Sequence, residues 1–228
     1  MNYSELTAAI QSYTENQFPD TYLADGTVVS SLSQINTFIT QAEQRIFNSV
    51  QFPVLRKTIQ GSLTASNQFL SCPADFLAPY SMAVILTSGA YVYMLNKDVN
   101  LIRQAYPNPT SLGVPQYYAL YGAQSFALTD LAFILGPTPN LNYGVEMNYF
   151  YYPQSITLVG SSWLGDNFDS VLLYGSLVEA YTFMKGEADL ITLYNTKYNE
   201  ALALAKRLGD GMERQDAYRS GQVRIKVT

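Results

Sequence analysis

The sequence predicts an α+β fold, mainly α: an antiparallel four-helix bundle (two N-terminal and two C-terminal helices) with a β-rich insertion and an extended C-terminal tail. Three observations predict it. Apolar residues recur at spacings of three and four in two segments near the start and two near the end. Between them, over about 56–153, short aromatic and β-branched runs alternate with Pro, Gly and Asn turns. After Gly211 no helical or strand period is long enough to bury a core. Helices distant in sequence bury their stripes by packing together. The reading is one domain over 1–210, with helices at about 4–52 and 167–208, and a tail at 211–228.

The first helix is expected from about Ser4 to Glu15, with Ser4 as N-cap and Leu6, Ala9, Ile10 and Tyr13 on one face. Pro19-Asp20 and Asp25-Gly26 mark a loop from Phe18 to Ser30. Ser31 caps the second helix, whose stripe is Leu32, Ile35, Ile39, Ala42, Ile46 and Val50, and Pro53 stops it. From Thr58 to Ser71 the pattern fits two short strands around Ala65-Ser66-Asn67, before Cys72-Pro73-Ala74-Asp75 breaks the run. Two apolar runs split by Ser88-Gly89 fill Ala83 to Leu95, and Pro107, Pro109 and Pro115 punctuate the next loop. Gln116 to Tyr152 turns at Gly136-Pro137 and Asn142-Tyr143-Gly144, and Val145 to Tyr151 reads as a strand. Asp166 or Asn167 caps a helix reaching Lys185. The last helix runs from Ala188 to Leu208 on Ile191, Tyr194, Tyr198, Ala201 or Leu202, Ala205 and Leu208, and Gly209-Asp210-Gly211 ends it. In the tail, Val223-Ile225-Val227 alternates and has the pattern to add to a partner's sheet edge.

Of the 228 residues, 48% are hydrophobic and 14% charged, enough apolar material for a core and too little charge for a disordered chain. The 19 tyrosines and 11 phenylalanines are core and strand residues in the plainest reading. Tyr also suits interfaces that are part dry and part wet. Charge is uneven. From Lys206 onward six basic residues (Lys206, Arg207, Arg214, Arg219, Arg224, Lys226) meet three acidic ones (Asp210, Glu213, Asp216), a net +3, which leaves −8 for the rest of a −5 chain. An acidic body with a basic tail implies that the tail docks where the body does not. The body lacks the clustered Lys and Arg that phosphate neutralisation needs. The single Cys72 permits no intrachain disulfide and points to a reducing compartment. The N-terminus lacks a secretion pattern and no stretch has the ~20 apolar residues of a membrane span, so the chain reads as soluble and unprocessed.

Little in the sequence carries chemistry. There are no histidines, which removes His-based acid–base catalysis and Ser-His-Asp triads. One Cys builds no thiolate zinc site, and Cys72 reads as a small, partly buried thiol. No phosphate loop, dinucleotide fingerprint or nucleophile elbow occurs. The expectation is no enzyme, no cofactor and no metal. The alternatives are a carboxylate-pair polysaccharide hydrolase using two of Asp75, Asp130, Glu146, Asp166 and Asp169, or an aromatic-faced carbohydrate-binding module. Asp75 also suits a turn or cap, and Asp166 and Asp169 the start of a helix.

An ordered set of segments carries a resemblance. Phe38-Ile39-Thr40-Gln41-Ala42-Glu43-Gln44-Arg45-Ile46 is similar to an F-I-x-x-A-E-x-R-I helix, and Cys72-Pro73-Ala74-Asp75-Phe76-Leu77 to an L-P-A-D-F-L turn with Cys in place of Leu. Gly113-Val114-Pro115-Gln116-Tyr117-Tyr118-Ala119 looks like a G-x-P-x-x-Y-A strand entry. Pro137-Thr138-Pro139 and Val145 to Pro153 look like a last hairpin, Leu172 to Ala180 like an L-L-Y-G-A-L-x-E-A helix, and Asp216 to Ile225 like a C-terminal extension. The chain thus resembles the head-to-tail adaptor (connector) family of short-tailed bacteriophages.

The resemblance implies a structural virion protein at the head–tail junction, assembled in the host cytoplasm. It implies a ring of adaptor subunits, usually about twelve. Its partners would be the portal protein, the tail nozzle protein and further copies of itself. Genomic DNA would pass through the lumen without specific binding, and no membrane is involved. An acidic body suits a lumen past which DNA must slide. The tail would dock on the portal, ordering as it binds. Its expected contacts are Tyr218, Val223 and Ile225 as apolar anchors and Arg219, Arg224 and Lys226 as charged ones.

Overall fold

The computed structural model describes residues 1–50, 52–123 and 131–217. The chain divides into two compact units, Met1–Leu55 with Pro153–Thr228, and Arg56–Tyr152.

The helical unit begins with α1 (Tyr3–Thr14). Asn2, not Ser4, is its cap. The Asn2 side chain accepts the Glu5 N–H at 2.9 Å and the Glu5 carboxylate accepts the Asn2 N–H at 2.9 Å, a reciprocal pair that satisfies two otherwise orphan donors. Within the expected loop, β1 (Thr21–Tyr22) and β2 (Val28–Val29) form a small antiparallel hairpin around Asp25-Gly26. α2 (Ser31–Ser49) starts one residue earlier than expected, with Ser30 and not Ser31 as cap. Its stripe packs as expected at Ile35, Ile39, Ala42 and Ile46, all fully buried, but Leu32 is 54% exposed.

The second unit is a mixed seven-stranded sheet. Its strands are β3 (Arg56–Leu63), β4 (Phe69–Ser71), β5 (Ala78–Ile85) and β6 (Tyr91–Asn96), then, after α3 (Val99–Ala105) and the short β7 (Leu112–Gly113), β8 (Tyr117–Ala123) and β9 (Leu131–Gly136). The short β10 (Thr138–Pro139) pairs with β7, and β11 (Tyr143–Phe150) completes the sheet in the order β3-β11-β5-β6-β8-β9-β4. β3 and β4 therefore lie at opposite edges although only Thr64 to Gln68 separates them. Five residues bridge the two edges only if the sheet curls round until they nearly meet. The alternation of β11 shows which face is inside. Tyr143, Val145, Met147 and Tyr149 are buried and the residues between them are partly exposed. These four pack with Met82, Val84, Met94, Tyr118, Phe133 and Leu135 in one core. Ring contacts within it include Phe76–Phe133 at 5.3 Å and Tyr118–Phe133 at 5.7 Å. α3, to which the sequence reading assigned no element, packs Ile102 on Ala119 and Ile134 of β8 and β9. It comes so close that a Cβ on Gly136 would lie 2.8 Å from Ile102 Cγ2.

The chain then returns to the helical unit as α4 (Ile156–Val159), α5 (Trp163–Asn167), α6 (Asp169–Phe183) and α7 (Ala188–Ala217). Asp166 and Asn167 lie within α5 instead of capping the long helix, and no side chain caps α6. α6 has almost no polar face: Val171, Leu172, Leu173, Gly175, Ser176, Leu177, Val178, Ala180 and Tyr181 are all buried. α1, α2 and α7 each pack chiefly on it.

The expected four-helix bundle with a β-rich insertion is therefore incorrect. Among the described residues there are seven α-helices and a nearly closed seven-stranded sheet with its own core. Four equal amphipathic stripes would have met along a shared axis. Here three helices surround one that is apolar all round, a pattern that a search for stripes does not separate from an ordinary bundle helix. The expected stop at Gly209-Asp210-Gly211 is also overtaken, since α7 continues to Ala217. Gly209 falls on the buried face four residues after Ala205, and the helix runs on past it.

Candidate functional site

The expected docking residues Tyr218, Arg219, Val223, Arg224, Ile225 and Lys226 lie outside the described residues. What the structure places is the approach to them: α7 carries the chain as helix to Ala217.

The expected carboxylates are spread over both units, and those with bonds on view serve the fold. Asp75 takes the Lys57 ammonium at 2.6 Å and the Tyr149 hydroxyl at 2.7 Å. Lys57 holds its carboxyl below the usual range, and Asp75 in turn raises the lysine. Glu146 on β11 receives the Gln60 amide from β3 at 3.3 Å. Asp169 accepts the Ser170 N–H at 2.7 Å in the first turn of α6, and Asp166 lies in the first turn of α5. Asp130 is outside the described residues. Burial pushes the Cys72 thiol up to about 12. Among the described residues no three His, Cys, Asp or Glu side chains gather to hold a metal ion.

The residues of the two helical motifs each have a structural task. Ala42 faces Gly175, where a Cβ would lie 3.3 Å from the Ala42 Cβ and 3.2 Å from Tyr198 Cε2, so α2, α6 and α7 meet at this point because both residues are small. Arg45 forms an ion pair with Glu179, joining α2 to α6. Glu43, 3% exposed, accepts the Ile156 N–H at 3.0 Å at the start of α4. Burial raises its pKa. The sequence reading has Glu43 only as part of the helix motif and missed this bond.

Some tyrosines pack against one another and others face solvent. Tyr13, Tyr174 and Tyr181 gather round Tyr194 where α1, α6 and α7 meet, with ring centroids at 6.5, 6.4 and 5.0 Å from it. The β1–β2 hairpin exposes Tyr22 (73%), Leu23 and Val28, and β6 exposes Tyr91, Tyr93 and Leu95. Leu158 on α4 is 80% exposed, and α7 exposes Leu193, Leu204 and Leu208. The outward row on β6 adjoins polar side chains bonded across the sheet, Thr58 to Asn148 and Asn148 to Ser81.

The acids are thus tied into the fold, and large apolar side chains turn outward on several elements. The chain belongs to the SU10 adaptor protein family, whose model matches residues 1–226, and is thus a phage structural adaptor and a virion component. No curated protein matches it.

Proposed function

We propose that this chain is the head-to-tail adaptor subunit of a short-tailed phage. About twelve copies form a ring on the portal, present a platform to the tail nozzle and line the channel through which DNA leaves. The observation that carries this reading is the family match over nearly the whole chain, tail included. Two further features support it. The residues before Lys206 carry a net −8, which suits a wall past which DNA slides. The exposed apolar groups on separate elements suit a subunit with several neighbours. The segment after Ala217, with Tyr218, Val223 and Ile225 beside Arg219, Arg224 and Lys226, is the portal clasp. Assembly takes place in the host cytoplasm, in keeping with the single cysteine.

The test is truncation after Ala217. The shortened chain retains the circular dichroism and melting temperature of the full chain but no longer co-purifies with co-expressed portal protein. Normal portal occupancy by the truncated chain would overturn the role of the tail. Failure of the full chain to bind the portal at all would overturn the adaptor reading.

A further inference from the structure

Within the β unit, a cavity of about 330 Å³ lies between α3 and the sheet. That is at the small end of the ~300–1,000 Å³ that ligand sites span. Ile102 of α3 and Ile134 and Leu135 of β9 line its inner side, each 2% exposed. Pro107 and Pro109, both exposed, line it from the segment after α3 and leave it open to solvent. Proline fixes its own φ, so this wall is set before anything binds. α3 in turn sits so close to the sheet that a Cβ on Gly136 would lie 2.8 Å from Ile102 Cγ2. The body of the cavity is therefore apolar and preformed.

Three polar residues share the lining: Thr138, Gln68 and Arg103. Thr138 is 4% exposed, and its N–H donates to the Ser111 carbonyl at 3.1 Å. Its hydroxyl has no hydrogen-bond partner among the described residues. A polar group so deeply placed costs free energy until something bonds it. The Gln68 carbonyl accepts the Leu135 N–H at 2.8 Å, while its side-chain amide is likewise free among the described residues. Arg103 is the one charged residue of the lining. Its guanidinium donates to the Tyr121 hydroxyl at 2.6 Å and lies 5.0 Å from the centre of that ring. A neutral group thus fixes its position, and no carboxylate pairs with it among the described residues.

A guanidinium, a hydroxyl and an amide can all donate to one anion beside an apolar body. A cationic ligand would meet the charge of Arg103, and a wholly apolar one would leave the Thr138 hydroxyl unbonded. The matching chemistry is a carboxylate next to a large apolar group. Apolar surface also continues past the cavity. Leu112, 51% exposed, pairs with Thr138 across β7 and β10, and Tyr121, 36% exposed, holds Arg103. Such flanks suit a chain that runs on in both directions.

We infer that this cavity binds a peptide segment of a partner protein, with one large apolar side chain in the cavity and an adjacent Asp or Glu against Arg103 and Thr138. The site stands apart from the ring and the tail clasp proposed above, and neither is needed for it.

The test is titration of the isotope-labelled full chain, followed by amide NMR, with acetyl-Phe-Glu-amide, acetyl-Phe-Gln-amide and hexanoate. Acetyl-Phe-Glu-amide shifts the amides of Gln68, Arg103, Ile134 and Thr138 and saturates. It binds about tenfold tighter than acetyl-Phe-Gln-amide, as one charge-assisted hydrogen bond allows. Arg103→Gln, at an exposed position, removes that preference and leaves the rest of the spectrum in place. Thr138→Val weakens binding, and Thr138→Ser, which keeps the hydroxyl, restores it. No saturable shift of these amides, equal affinity for the two peptides, or unchanged affinity in Arg103→Gln would overturn the inference. Hexanoate that binds as tightly as acetyl-Phe-Glu-amide would also overturn it, by assigning the cavity to a free small carboxylate.

Discussion

Glu43 is a buried acid that gives the helical unit a pH dependence. Its carboxylate is 3% exposed and accepts the Ile156 N–H, and burial raises its pKa above the ordinary 4.5. An acid raised by folding binds more protons folded than unfolded between its two pKa values. Stability therefore falls as pH rises through that window and is greatest below it. Glu43→Gln keeps an oxygen for Ile156 and removes the charge. Urea unfolding of this variant from pH 4 to 8 shows that slope reduced, with stability at pH 7 equal to or above that of the parent. Glu43→Leu leaves the Ile156 N–H without its acceptor and costs about 1–3 kcal/mol in the same measurement. The sequence shows Glu43 as one polar position on an apolar helix. Its partner lies 113 residues further on, so no local pattern reveals the bond. Asp75 is similar: its place in a turn was legible, but its bonds to Lys57 and Tyr149 come from strands the sequence does not bring together.

At the scale of elements, local periodicity told true where burial is one-sided. Ile35, Ile39, Ala42 and Ile46 of α2, and the alternation over Val145 to Tyr149 in β11, are buried as their spacing implies. It failed where a residue type has two uses. Glycine ends helices by adopting a left-handed backbone and also lets helices approach: Gly209 lies buried within α7 without ending it, and Gly175 does the second in the middle of α6. Gly175→Val would drive methyl groups into Ala42 and Tyr198, which a bare Cβ already approaches to 3.3 and 3.2 Å. Overpacking of this kind costs about 1–3 kcal/mol. The expected result is a lower melting temperature with helix content unchanged, and a variant as stable as the parent would show that α2 and α7 yield freely there. Strand positions were legible but their pairing was not. β3 and β4 are neighbours in sequence and read as a hairpin, yet each bonds a strand from much later in the chain, β11 and β9.

For the molecule as a whole, the β unit is more than an insertion, because its core is complete within Arg56–Tyr152. That span, excised, is expected to fold on its own. A dispersed amide spectrum and a cooperative thermal transition check this, and a collapsed or unfolded fragment would show that the core depends on the helices. The scale of this unit escaped the sequence because its strands are short and turn-rich, and because nothing local announces that a sheet will curl on itself. The expected clasp was legible as a change of charge and composition after Lys206, but its six named residues fall beyond the described helix.

The placement of β3 and β11 also bears on the order of events during synthesis. β3 leaves the ribosome early and must wait for β11, its one partner strand among the described residues, while α1 and α2 wait for α6. Neither unit can close until most of the chain has been translated, so folding depends on distant pairings, which form slowly. A nascent adaptor therefore has no finished surface to offer a neighbour. Until then β3 presents an unpaired edge, so an unfinished chain is prone to wrong association, and the subunit reaches its assembling form only after β11 and α6 have been made.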